Sequence, residues 1–220
     1  MTFPKPIAGI VFDMDGLLFD TEPLYYDAMC HAASAEQLDM PRALYLSMVG
    51  LPWESTRAQL RSHYGSAFAA EDFCERVKRH YSDLLGGDVR LKSGVMELLD
   101  CLDSRRLPRA IATSSERMSV EHHLAAHDLN GRFDVIVAAG DYTDGKPHPA
   151  PYLLAAARLG VDASSCLALE DSHNGVRSAS AAGMMTIMVP DILPPTEEMR
   201  HLCAFIAQDL HEVRQLITSS

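Results

Sequence analysis

The chain has 220 residues, enough for one large domain or a domain carrying a smaller insert, and 47% hydrophobic with 22% charged residues is ordinary globular usage that excludes disorder. Thirty acidic against nineteen basic residues leave a formal charge of -11, which argues against nucleic acid as a main partner, because displacing counterions from a duplex needs Lys and Arg. A small anionic substrate stays open, since a bound cation reverses the field locally.

Cys30, Cys74, Cys101, Cys166 and Cys203 are odd in number and dispersed, with no CxxC pair, so neither a disulfide framework nor a zinc knuckle is expected. The first twelve residues lack a basic region followed by an apolar stretch and a cleavage site. No apolar run reaches the ~18 residues of a membrane span. The expectation is a cytoplasmic protein with no membrane partner.

In chain order, the apolar run Ile7–Phe12 predicts a first strand ending in DMDGLLFDTEPLY, with Asp13 and Asp15 just past its carboxyl end and Gly16 following. From Glu22 to Asp88 the pattern turns helical, with helices expected over Glu22–Ala33, Glu54–Tyr64 and Glu71–Leu85. Phe73, Val77, Tyr81 and Leu84 make one apolar face on the last of these, and Gly86-Gly87 offers a hinge. Val95, Leu98, Leu99 and Leu102 at i, i+3, i+4, i+7 predict the next helix.

A second strand over Arg109–Thr113 ends in ATSS, where Thr113, Ser114 and Ser115 at a helix start offer hydroxyls and amides to an anion. His122, His123 and His127 then crowd a stretch read as a solvated helix face, with no HExxH pattern for zinc. Val135–Ala139 predicts a third strand. Lys146 follows in DGKPHPAPYLL, ahead of a helix marked by Leu153, Leu154 and Ala157.

A fourth strand, Cys166–Leu169, ends in LALEDSHNG, bringing Glu170 and Asp171 to the sheet edge ahead of Gly175. Val176, Ala179 and Ala182 give a helix, Met185–Val189 a fifth strand, and Leu210, Val213 and Leu216–Ile217 a terminal helix docking on the sheet. None of the five apolar runs alternates with polar residues, which suits strands buried on both faces. The fold class is α/β: a doubly wound parallel sheet over residues 1–20 and 89–220, with an inserted α-helical subdomain at 21–88.

Ligands of open parallel sheets gather at the carboxyl ends of the strands. If strands one and four are neighbours, Asp13, Asp15, Glu170 and Asp171 converge. Two carboxylates ~4 Å apart repel by ~4 kcal/mol at an effective dielectric of about 20, so the cluster calls for protons or a cation. All-oxygen donors point to Mg²⁺. A carboxylate nucleophile attacks phosphorus to give an aspartyl-phosphate, and the oxygens of the transferred group need positive charge, which Lys146 and the cation supply. Thr113 and the amide of Ser114 hold the remaining oxygens. Asp15 is placed to protonate the departing oxygen and then to deprotonate the attacking water.

These four motifs, in this order over about Ile7 to Val189, resemble the haloacid dehalogenase superfamily, in its helical-capped phosphatase and phosphomutase branch. The resemblance implies Asp13 as nucleophile, Asp15 as acid/base, and Thr113 and Lys146 as phosphoryl ligands. It implies a metal held by Asp13, the backbone carbonyl of Asp15, and the Glu170–Asp171 pair directly or through water. It also makes residues 21–88 a cap that closes over the site and selects substrate. Gly50 and Trp53 are the cap-loop residues expected to meet the leaving group.

β-Phosphoglucomutase-like members carry a basic cap-loop residue where Trp53 stands, and a His where this chain has Tyr25. Both departures favour a phosphatase for small organic phosphate monoesters (sugar, polyol or nucleoside) over the mutase alternative. A receiver-like phospho-signalling module is disfavoured by the insert and by Asp15. The expected oligomeric state is a monomer or weak homo-oligomer.

Overall fold

The computed structural model describes residues 3–49, 51, 53–87 and 89–219, with only the backbone described at Trp53. The chain divides into two compact units, Met1–Asp20 with Arg90–Ser220, and Thr21–Val89.

The first unit is built on a six-stranded parallel sheet. Its strands are β1 (Gly9–Phe12), β2 (Arg109–Glu116), β3 (Val135–Ala139), β4 (Cys166–Glu170), β5 (Met185–Met188) and β6 (Phe205–Ile206), in the order β3-β2-β1-β4-β5-β6. Every residue of β1, β4 and β5 is buried, which is why their runs show no polar alternation. The helices are α5 (Val95–Arg105), α6 (Arg117–Ala126), α7 (Ala150–Leu159), α8 (His173–Ala181), α9 (Glu197–Leu202) and α10 (Leu210–Thr218). Here α7 packs on β1, β2 and β3, while α8 packs on β4 and β5. Val11, Ala110, Ala112, Val137, Tyr152 and Ala168 belong to one buried cluster.

The second unit is helical: α1 (Glu22–Ser34), α2 (Arg42–Met48), α3 (Trp53–Tyr64) and α4 (Ala70–Leu85). α1 packs along α4, burying Ala28, Met29, Ala32 and Ala33 on one side and Phe73 and Val77 on the other. Tyr25 and Tyr81 meet edge to face, with ring centroids 5.2 Å apart. At the junction, Asp20 N–H donates to the Arg90 carbonyl at 2.8 Å and Lys92 N–H to the Leu18 carbonyl at 2.9 Å. The core chain is therefore hydrogen-bonded to itself on either side of the insertion.

Several sequence expectations are adjusted. β1 starts at Gly9 rather than Ile7, after Pro4 and Pro6, neither of which has an N–H to donate to a ladder. α2 and the two-residue β6 add elements that sequence periodicity does not reveal. The terminal helix docks on α5, not on the sheet, burying Leu210, Val213 and Ile217. His123 is buried against Phe19 (centroids 5.2 Å apart), so α6 is not the wholly solvated histidine face expected. All five cysteines are free. Among the described residues no helix is long and apolar enough to cross a membrane.

Candidate active site

The strand order places β1 between β2 and β4, so the chain leaves the centre of the sheet in opposite directions and opens a crevice beyond β1. Register does the rest. Phe12 pairs with Ile111 on one side and Leu169 on the other, so Asp13 and Glu170 emerge level with each other, one residue beyond the paired positions. The Asp13 amide is fixed by the Leu169 carbonyl at 2.9 Å.

Carboxylate oxygens of Asp13, Glu170 and Asp171 lie within 4.8 Å of one another, Asp13 and Glu170 buried and Asp171 partly exposed. Lys146 Nζ, on a side chain only 8% exposed, reaches into this cluster, bonding Asp13 Oδ1 and donating to Glu170 Oε1 at 2.7 Å. Gly16, at φ +82°, permits the close approach: a Cβ there would stand 2.5 Å from Asp171 Oδ2. Gly175 opens the other side, since any Cβ on it would overlap the Glu170 carboxyl.

Three carboxylates face one ammonium, and the local electrostatics reflect the imbalance. Burial, with Glu170 and Asp15 adding to it, pushes the Asp13 carboxyl up to about 8 against the opposing pull of Lys146. Asp171 is raised well above the usual carboxylate range, first by the loss of solvent and then by Asp13 and Glu170. Burial would lower the Lys146 ammonium, but Asp13 and Glu170 outweigh it and hold it well above the ordinary lysine range. The oxygen-only cluster with surplus negative charge fits a hard divalent cation. Among the described residues no donor reaches the Asp171 carboxylate, whereas four donors reach Glu170.

A stability prediction follows from Asp171. Its folded value lies above the unfolded value of about 4, so its favourable contribution is complete below pH ~4 and is lost as pH rises from there through the folded value. In EDTA at pH 7.5, Asp171→Asn should therefore raise the melting temperature by roughly 2–4 °C, the shift ~1 kcal/mol makes in a chain of this size. At pH 4 calorimetry should show no gain. Added Mg²⁺ should stabilise the wild type and leave the variant unmoved.

On the β2 side, Thr113 is buried and Ser114 exposed. The β2–β3 register shifts between Ala112 and Glu116, so Thr113–Ser115 lie in an irregularity within the strand rather than in a strand-to-helix turn. Ser115 Oγ donates to Asp15 Oδ2 at 2.6 Å and Thr113 Oγ1 to the same oxygen at 3.4 Å, while Tyr142 OH donates to the Thr113 carbonyl at 2.9 Å. Asp15 Oδ1 is buried and has no hydrogen-bond partner among the described residues. Ser114 makes none of these contacts.

Sequence reasoning passed over two residues. Tyr152 OH donates to Glu170 Oε1 at 2.8 Å. Asp191, held by Lys92 at 2.7 Å, brings its Oδ2 to 3.3 Å from where a Gly16 Cβ would stand. Asp191 lies three residues beyond the end of β5, whereas Asp13 directly follows β1; Tyr152 carries no mark in the sequence. Of the expected substrate-contacting pair, Gly50 lies outside the described residues and Trp53 opens α3.

A parallel sheet of this order, with strand-end carboxylates gathered around one lysine beside its central strand, defines a Rossmannoid phosphohydrolase core. Residues 10–189 match the haloacid dehalogenase-like hydrolases, and the chain belongs to that family, in its capped branch. It is 35% identical over 183 residues to a phosphorylated carbohydrates phosphatase of Thermotoga maritima, covering 81% of this chain and 83% of the relative. A probable pseudouridine-5'-phosphatase of Drosophila melanogaster is 34% identical, over 92% of this chain and 90% of its own. Among solved structures, a putative beta-phosphoglucomutase from Thermotoga maritima superposes with a TM-score of 0.80 at 28% identity, covering 97% of this chain and 99% of that one. The chain is a phosphatase, a hydrolase of phosphoric monoesters.

Proposed function

We propose that the enzyme hydrolyses small phosphate monoesters of sugars, polyols or nucleosides through an aspartyl-phosphate on Asp13, with Mg²⁺ as cofactor. The observation that carries this reading is the largely buried cluster of Asp13, Lys146, Glu170 and Asp171, with the Asp15 carboxylate held near it by Ser115. Asp13 Oδ attacks phosphorus while the bond to the leaving oxygen breaks and Asp15 delivers a proton to that oxygen. Asp15 next takes a proton from water as the water oxygen attacks phosphorus, the Asp13–phosphorus bond breaks, and phosphate leaves. Lys146 and Thr113 orient the phosphoryl oxygens throughout. A divalent cation held by Asp13, Asp171 and the Asp15 backbone carbonyl would add the positive charge that the equatorial oxygens require.

We assign leaving-group selection to the helical unit, which contains a cavity of about 290 Å³ lined in part by Glu22, Tyr25, Tyr45, Met48 and Thr56. Tyr45 OH donates to Glu22 there at 2.6 Å, giving a polar pair among apolar walls, suited to a hydroxylated ring or chain. Tyr25 stands where mutase-like members carry His. Burial, then Cys74 and Glu22, hold its phenol well above the ordinary range, so it offers no acid–base group at neutral pH, which favours hydrolysis over mutase chemistry. Five free cysteines fit a reducing compartment, and we place the enzyme in the cytoplasm.

The test is phosphate release from hexose, hexitol and pseudouridine monophosphates, each with Mg²⁺ and with EDTA. At least one class should turn over, and chelation should abolish it. Undiminished release in EDTA would remove the cation from the reading.

A further inference from the structure

Lys146 has to hold one position to meet a transferring phosphoryl group, yet it sits on a loop of prolines and glycine outside any helix or strand. Its ammonium has three hydrogens. One goes to Asp13 and one to Glu170 Oε1, so what fixes Glu170 fixes where the third one points. Glu170, fully buried, is itself saturated. Its Oε2 accepts from the Ser172 amide and hydroxyl, both at 3.0 Å, and its Oε1 accepts from Tyr152 OH at 2.8 Å as well as from Lys146 at 2.7 Å.

Tyr152 touches this arrangement twice. Besides the bond to Glu170, its ring centroid lies 5.1 Å from Lys146 Nζ, within cation–π range. The residue has no exposed surface and stands in the first turn of α7, directly after the Lys146 loop. That loop is tied down independently, since buried Ser178 donates to the His148 carbonyl at 2.6 Å. Burial, and then the Glu170 charge, hold the Tyr152 phenol well above its ordinary range, so it remains a donor. For filling space in the core, Phe would do as well. A buried hydroxyl is costly unless its partner repays it, and here the partner is the carboxylate that holds the lysine.

We propose that Tyr152 is a positioning residue for phosphoryl transfer, its hydroxyl acting through Glu170 and its ring face directly to fix the Lys146 ammonium over the reacting group. The inference rests on the phosphatase reading above and extends it to a group that never touches substrate. It also gives Glu170 the task of orienting the lysine.

The test compares wild type with Tyr152→Phe, which deletes only the hydroxyl, in the presence of Mg²⁺. The readouts are kcat, KM, the inhibition constant of orthovanadate as a mimic of the five-coordinate phosphoryl group, and the melting temperature. Misplacing a group that acts in the transition state should lower kcat about tenfold, leave KM within about twofold, and weaken orthovanadate by the same factor as kcat. The inhibition constant is a property of folded molecules alone, so partial unfolding does not imitate this result. An unchanged kcat and inhibition constant would overturn the proposal. So would a kcat falling only in step with the folded fraction while orthovanadate binds as before. A wild type that neither releases phosphate nor binds orthovanadate would instead overturn the phosphatase reading itself.

Discussion

Asp13→Asn should release no phosphate measurably above background, a loss of at least ~10⁴-fold in kcat, with the circular dichroism spectrum of the wild type. The amide matches the carboxylate in shape and still presents an oxygen to Lys146, which bonds Asp13 Oδ1 in the native site. What it lacks is a nucleophilic oxygen. The Asp13 backbone is pinned to β4 through the Leu169 carbonyl, so the substitution has little reason to move the strand end. Phosphate release followed colorimetrically with the best substrate checks it, and a variant within tenfold of wild type would eliminate Asp13 as nucleophile.

Asp15→Asn should fail differently. Ser115 and Thr113 both aim hydroxyls at Asp15 Oδ2, fixing the carboxyl near Asp13 without placing it in the lysine–carboxylate cluster. Removing its proton transfer should cost about 10²–10⁴-fold on natural esters. With p-nitrophenyl phosphate the leaving group departs without assistance, so the first half of the reaction should survive and the second should stall. Rapid mixing should then show a burst approaching one p-nitrophenol per enzyme, followed by slow release. Asp13→Asn should give no burst. A linear trace at the wild-type rate for Asp15→Asn would separate this residue from the chemistry.

Much of the fold was legible because parallel strands leave a plain mark: β3 has the bounds its apolar run predicts, and β4 and β5 differ by one residue at their carboxyl ends. Elements without such a mark stayed hidden. α2 is seven residues long and buries only Tyr45 and Met48, and β6 is a two-residue edge. In the site, Asp13, Lys146, Glu170 and Asp171 stood out as charged groups ending strands or following glycine, and the structure brings them together. That the Ser115 hydroxyl turns to Asp15 was not readable, because it depends on which way an irregular strand turns its side chains. Tyr152 was invisible for a related reason. An aromatic residue in the first turn of a buried helix looks like packing, and only coordinates show where its hydroxyl ends.

The two hydrogen bonds joining Leu18–Asp20 to Arg90–Lys92 bear on how the chain assembles. To the sheet, everything between them is one long excursion whose ends are already clasped, and closure entropy grows only slowly with the length of such an excursion. Replacing the helices by a short glycine-rich bridge should thus leave a truncated protein still able to build its sheet, deprived of the segment to which substrate choice is ascribed. By the same reasoning, an insertion of different length at this point should leave the pairing of β1 with β2 and β4 in place.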